Sequence, residues 1–243
     1  MVEERLNEMT FLYSVIQWLL DPKQWSGPSG IPTRVLEHVT ISGEAVLIGA
    51  LIALPLGIVL GHYGRFGNIA ISVSNVGRAV PSFGILIIAF QIWSLGDLPI
   101  ILALTALAIP PIVTNSFVAM TEVDKDIKDA ARGMGYRDLV QLLRVELPLA
   151  VPLVMAGIRT SAVQVVATAT LAAYIGGGGL GRFIVDGYAT QVYPEVFAGA
   201  ILVGLLALAT ELSLSGVERL LTPRGIRLLR VPADRRATAF KTA

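Results

Sequence analysis

Apolar residues along this chain come in long, nearly unbroken blocks, where the elements of a water-soluble domain would alternate polar and apolar positions. Five blocks, at roughly Thr40–His62, Ile69–Trp93, Leu98–Met120, Leu149–Ile175 and Val196–Leu214, are long enough to cross a bilayer, for which about 20 residues suffice. Proline falls inside them at Pro55, Pro81 and the Pro110-Pro111 pair, as transmembrane helices allow when neighbours satisfy the freed carbonyls. The apolar run Phe11–Leu20 is only about ten residues long, short of a crossing. It predicts a helix lying at the interface, a depth that suits Trp18 and Trp25, with a sixth, short crossing as the rival reading. Asp21–Pro32, rich in Pro, Gly and Ser, reads as a loop. The pattern predicts an all-α integral membrane protein: an interfacial helix and loop over residues 1–39, a transmembrane unit of about five helices over 40–215, and a basic tail over 216–243.

Composition narrows the function classes. Only 15% of residues are charged and 54% are hydrophobic, against about 25% charged in ordinary soluble domains. With no cysteine, disulfides, thiolate nucleophiles and cysteine-ligated metals are excluded. A formal net charge of +1 does not supply the concentrated basic field that nucleic acid requires. Glu3, Glu4 and Glu8 against the single Arg5 are unlike the basic leader of a secretory signal. Basic residues gather instead in two places, Lys125, Lys128, Arg132, Arg137 and Arg144 in the connection 121–148, and Arg219, Arg224, Arg227 and Arg230 after the last block. Positive charge stays on the cytoplasmic side, so both regions and the turn at Arg65 are predicted inside, and the N-terminus, the Ser94–Asp97 turn and Gly176–Glu195 outside.

The connection 121–148 is too long for a simple turn between spans and alternates polar and apolar positions at the helical period. Thr121-Glu122-Val123-Asp124 predicts a capping box that opens a helix through Lys128 and Arg132. Gly133 and Gly135 predict its stop, and a second helix from Arg137 through Leu143 is expected to end near Pro148. Two short helices are thus displayed at an angle. Within them, Asp129-Ala130-Ala131, then Gly135, then Val145-x-Leu147-Pro148 resembles the loop that defines the permease subunits of ABC importers: Glu-Ala-Ala, three residues, Gly, nine residues, Ile-x-Leu-Pro. Asp129 and Val145 are conservative departures. The resemblance implies that Asp129, Ala130, Ala131, Arg132, Gly133, Gly135, Val145, Leu147 and Pro148 dock on a separate ATPase subunit and transmit its closure to the spans. Two adjacent alanines leave a helix surface shallow enough to enter a groove, and Gly135 lets the chain turn out of it.

The resemblance extends from about Leu36 to Arg227. Ala130-Ala131-Arg132-Gly133-Met134-Gly135, Ala156-Gly157-Ile158-Arg159-Thr160, Ala167-Thr168-Ala169-Thr170-Leu171 and Gly178-Gly179-Leu180-Gly181 are similar to the osmoprotectant branch, which carries glycine betaine, choline, carnitine and related quaternary amines. That branch implies an extracytoplasmic solute-binding protein, here separate, a second permease copy or paralogue, and a place in the bacterial cytoplasmic membrane; ATP, the one cofactor involved, belongs to the ATPase partner. A cage for a quaternary ammonium needs several converging aromatic faces, and 7% aromatic residues point to the binding protein as its owner. Phe90, Trp93 and Tyr174 are the candidates for a passing contact, against lipid-facing or interface packing.

Thr160, Gln164 and Thr168 recur at four-residue intervals and form one stripe, facing either a neighbouring helix or the solute path. Asn75 and Arg78, just before Pro81, are further pathway candidates, and Arg159 is expected to pair with Glu211. Gly176–Gly181 lacks the Lys and Ser/Thr of a phosphate loop and reads as a flexible outer loop able to touch the binding protein. His38 and His62 stand near opposite ends of the first block without a cluster of co-ligands, so no metal site is expected. A secondary transporter would require an internal repeat and a midplane carboxylate, and the acids within the blocks, Glu44 and Glu211, lie towards their ends. A membrane-embedded hydrolase would require a nucleophile beside a base, which neither histidine is placed to supply.

Overall fold

A computed structural model of the chain describes residues 2–64, 72, 81–93, 96–223 and 225. Among the described residues every regular element is helical: α1 (Val2–Leu20), α2 (Ile31–Tyr63), α3 (Ser82–Trp93), α4 (Leu98–Thr121), α5 (Lys125–Gly133), α6 (Asp138–Gln141), α7 (Leu147–Ala169), α8 (Gly181–Ala189) and α9 (Tyr193–Leu221). A π turn, Leu142–Glu146, joins α6 to α7, and a 3₁₀ turn, Thr170–Ile175, follows α7. Four stretches are long and apolar enough to span a membrane: Ile31–Tyr63, Leu98–Thr121, Asp138–Ile175 and Tyr193–Leu221. They match four of the five expected blocks. Of the fifth, Ile69–Trp93, the structure describes Ser72 and the stretch 81–93, where α3 starts directly after Pro81.

Proline starts helices here more often than it breaks them. Pro32, Pro99 and Pro194 stand in the first turns of α2, α4 and α9. At that position the missing N–H would have had no partner in any case. Two expectations about proline are corrected. The loop drawn through Pro32 gives way at Ile31 to a helix of 33 residues, about 50 Å long. The second helix of the 121–148 connection does not end at Pro148 but runs through the π turn into α7. In that turn the N–H of Leu147 reaches the carbonyl of Leu142, five residues back, so the register changes just where the proline ring would crowd a regular α-turn. The last helix also outruns its expected end at Leu214, carrying Arg219 in its final turn. Pro55, Pro110 and Pro111 lie inside continuous helices.

α4 is the hub: 61% of its most apolar stretch is buried within the chain, against 17–33% for the other three candidate spans. Its main partner is α2, and a stripe of small residues explains how they fit. Ala45, Gly49, Ala53, Gly57 and Gly61 recur every four residues and are all buried. A Cβ at Gly49 would stand 2.8 Å from Ala108 Cβ, one at Gly57 2.6 Å from Ser116 Cβ, and one at Gly61 2.6 Å from Met120 Cβ. The two backbones are in contact because side chains have been removed between them, which replaces hydrophobic drive as the source of helix association in lipid. Gly157 of α7 meets Asn115 of α4 in the same way, at 2.6 Å. A core of Ile41, Leu86, Leu104, Leu107 and Val165 ties α2, α3, α4 and α7 together.

α1 packs against α9 and α8: Phe11 meets Phe197 of α9 edge-on with ring centroids 4.9 Å apart, Trp18 meets Phe183 of α8 at 5.2 Å, and Val15 is buried. Trp25 donates its indole N–H to the carbonyl of Leu19 at 2.7 Å.

Candidate functional site

At the end of the bundle where α2 finishes and α7 begins, α5 and α6 project as the expected pair of short helices. Asp124, not Thr121, caps α5, its carboxylate accepting from the N–H of Asp126 at 2.8 Å. The Thr121 hydroxyl instead donates back to Phe117 and Val118 and closes α4, so the capping box divides between two helices. Gly135 turns the chain at φ +81°, with nothing within 4 Å of a Cβ built on it. The glycine is needed there for its backbone conformation, not for space.

The motif residues fall on two faces. Asp129, Ala130, Arg132, Gly133 and Gly135 are exposed, while Val145, Leu147 and Pro148 are half-buried where π turn and α7 meet. Ala131 is buried, at 1% exposure. The expectation that both alanines form the shallow outer surface is therefore corrected: consecutive helical positions lie about 100° apart, and Ala131 turns inward. Asp129 and Arg132 approach to 3.6 Å on the exposed side, a contact worth little in water. On the same helix pair Met134, Leu139 and Leu143 stand 71%, 65% and 53% exposed, large apolar side chains beside the exposed charges.

Beneath this surface lies a cluster that sequence reading missed. Glu146, on the π turn, is fully buried; its Oε2 stands 2.9 Å from His62 Nδ1 and 3.3 Å from Lys128 Nζ, and its Oε1 accepts from Gln141 Nε2 at 2.7 Å. Lys128 Nζ also donates to the carbonyl of Met120, the penultimate residue of α4, at 2.9 Å. On a regular α-helix Gln141 and Glu146 would point about 140° apart; the wider π turn brings them together. A buried carboxylate survives only with such partners, and removing one from a buried pair typically costs about 3–5 kcal/mol. His62 has no ionic partner near it in the sequence because Glu146 lies 84 positions along the chain. The one local signal was an acid, Glu146, in an otherwise apolar Val145-Glu146-Leu147-Pro148 string.

At the opposite end, Gly176–Gly181 is not the flexible loop expected. Glu37 accepts from the N–H of Gly179 at 2.7 Å and pairs with Arg34 at 2.8 Å, while His38 Nδ1 accepts from the N–H of Leu180 at 3.2 Å. A Cβ at Gly178 would collide with the Glu37 carboxylate, and one at Gly181 with the carbonyl of Thr170. The glycines allow close packing, and the segment leads directly into α8.

Arg159 pairs with Glu211 at 3.1 Å, as expected, and also with Glu218 at 3.1 Å, two turns further along α9. Thr160 and Gln164 are exposed and Thr168 is half-buried, so among the described residues the stripe packs on no helix over most of its length. Trp93 and Tyr174 are likewise exposed, Tyr174 touching Phe83 edge-on at 5.7 Å, and Phe90 is half-buried. Asn75 and Arg78 lie outside the described residues.

Among the described residues, a helical bundle with a projecting helix pair between two spans has the architecture of a membrane permease. Residues 53–227 match the model of the binding-protein-dependent transport system inner membrane component, and the chain belongs to that family. Among relatives, the carnitine transport permease protein OpuCB of Listeria monocytogenes is 42% identical over 79% of this chain and 88% of its own length. The choline transport system permease protein OpuBB of Bacillus subtilis is 38% identical over 81% of this chain and 91% of its own. The glycine betaine/carnitine/choline permease OpuCB of Bacillus subtilis is 36% identical over 79% and 88%. A chain of the MetNI methionine ABC transporter, solved in inward-facing conformations, superposes with a TM-score of 0.71 over 84% of this chain and 99% of that one. At 22% identity that likeness speaks for the fold alone.

Proposed function

We propose that this permease forms the solute pathway of an importer for quaternary ammonium osmoprotectants such as carnitine, choline or glycine betaine. It works with a separate ATPase that docks on α5 and α6, an extracytoplasmic binding protein, and a second permease copy or paralogue. The observation that carries the docking claim is the exposure of Met134, Leu139 and Leu143 on the same projection as Ala130 and Gly135, apolar area that a soluble partner would cover. The solute class rests on the relatives, whose names specify carnitine, choline and glycine betaine. In this reading ATP is held by the partner, the α5–α6 end faces the cytoplasm with the C-terminus, and Thr160, Gln164, Thr168, Asn75 and Arg78 border the path that two permeases enclose.

The test is reconstitution in liposomes with the ATPase and binding protein, measuring uptake of labelled carnitine, choline, glycine betaine and, as a control, methionine. ATP-dependent uptake of one or more quaternary amines, absent when the ATPase is omitted, is the expected result. Uptake that persists without the ATPase, or that favours methionine, overturns the proposal.

A further inference from the structure

Docking alone does not explain how a movement of α5 reaches the spans. Its covalent links are short: residues 122–124 on one side, and on the other the turn at Gly135. Its buried apolar contact is made by Ala131, and apolar contact has no preferred direction, so it resists separation better than sliding. One directional connection stands out. Lys128 reaches inward from α5 and holds Met120 at the end of α4 and Glu146 at the root of α7, and Glu146 in turn holds His62 at the end of α2 and Gln141 of α6.

We propose that the Lys128–Glu146 pair is the strut through which α5 moves the ends of α2, α4 and α7 together. Lys128 and Glu146 are positioning residues: neither meets solute or nucleotide in this scheme, and both act on the pathway through the helices they tie. Burial gives the strut its stiffness. Glu146 is wholly enclosed and the Lys128 side chain is 14% exposed, so water screens the pair weakly and both charged groups have fixed partners. The π turn belongs to the device, because it swings Glu146 to the side on which Gln141, His62 and Lys128 converge. Two spans and the hub helix thereby share one ion pair, and a displacement of α5 is delivered to all three at once.

The inference rests on the importer reading, and its test uses the full complex with ATPase and binding protein in liposomes. The readout is solute carried per ATP hydrolysed, together with the amount of ATPase that copurifies. Lys128→Met is expected to keep the ATPase bound while the transport ratio falls about tenfold, the scale of a typical coupling free energy. Lys128→Arg, which retains charge and donors, is expected to restore most of that ratio. Glu146→Gln, which keeps shape and loses charge, is expected to uncouple as Lys128→Met does. An unchanged ratio in Lys128→Met overturns the strut, as does an arginine variant no better than methionine. So does a loss of bound ATPase in both Lys128→Met and Glu146→Gln, which reduces the cluster to a structural one. Wild-type complex that shows no ATP-dependent uptake overturns the importer reading, and this inference with it.

Discussion

His38 illustrates how much one side chain can hold. Its Nε2 lies 2.8 Å from the carbonyl of Val166, which can only accept, so the proton sits on Nε2 and Nδ1 is free to accept from Leu180. One neutral imidazole therefore pins α2 to α7 and to the glycine turn. His38→Phe keeps the ring but takes the acceptor from the Leu180 N–H and the side-chain donor from the Val166 carbonyl, and is expected to lower stability by about 1–3 kcal/mol, read as a lower Tm in detergent. Gly57 is the other extreme, a residue that matters for what it lacks. Gly57→Val places atoms 2.6 Å from Ser116 Cβ and 2.8 Å from the Val113 carbonyl, so the purified yield of folded protein is expected to collapse, while Gly43→Ala, with nothing within 4 Å, leaves it unchanged.

Among the elements, the α5–α6 pair depends on its turn. A β-branched side chain at the Gly135 φ of +81° is strained by roughly 1–2 kcal/mol, whereas Asn tolerates that conformation. Gly135→Val is expected to abolish uptake and loosen the ATPase in copurification, and Gly135→Asn to retain much more of both. Along α7, the exposed Thr160 and Gln164 separate two roles. If the stripe borders the path, Gln164→Leu lowers uptake without changing the solute affinity of the binding protein, and unchanged uptake assigns the stripe to packing on another chain. The motif spacing in 121–148 was legible because it is a local matter of which residues share a helix face. The fate of Pro148 was not, since whether a proline stops or starts a helix depends on the turn it joins.

For the whole molecule, the absence of cysteine makes topology directly measurable. Met134→Cys and Tyr188→Cys introduce single thiols at sites 71% and 70% exposed, at opposite ends of the bundle. A membrane-impermeant thiol reagent is expected to label Tyr188→Cys in right-side-out vesicles and Met134→Cys only in inverted ones; the reverse pattern sinks the cytoplasmic assignment of α5 and α6.

The sequence by itself determined that the chain is a helical membrane protein, where four of its spans lie to within a turn or a few, and that it displays a two-helix connection of importer type. Each of these is written in contiguous composition or short spacing. Only the tertiary structure decided that Gly49, Gly57 and Gly61 are a contact face, that the glycine turn is clamped by Glu37 and His38, and that Lys128, His62 and Glu146 meet. The reason is separation along the chain: His62 and Glu146 are 84 positions apart, and a buried charge is stable only once folding has brought its partners to it.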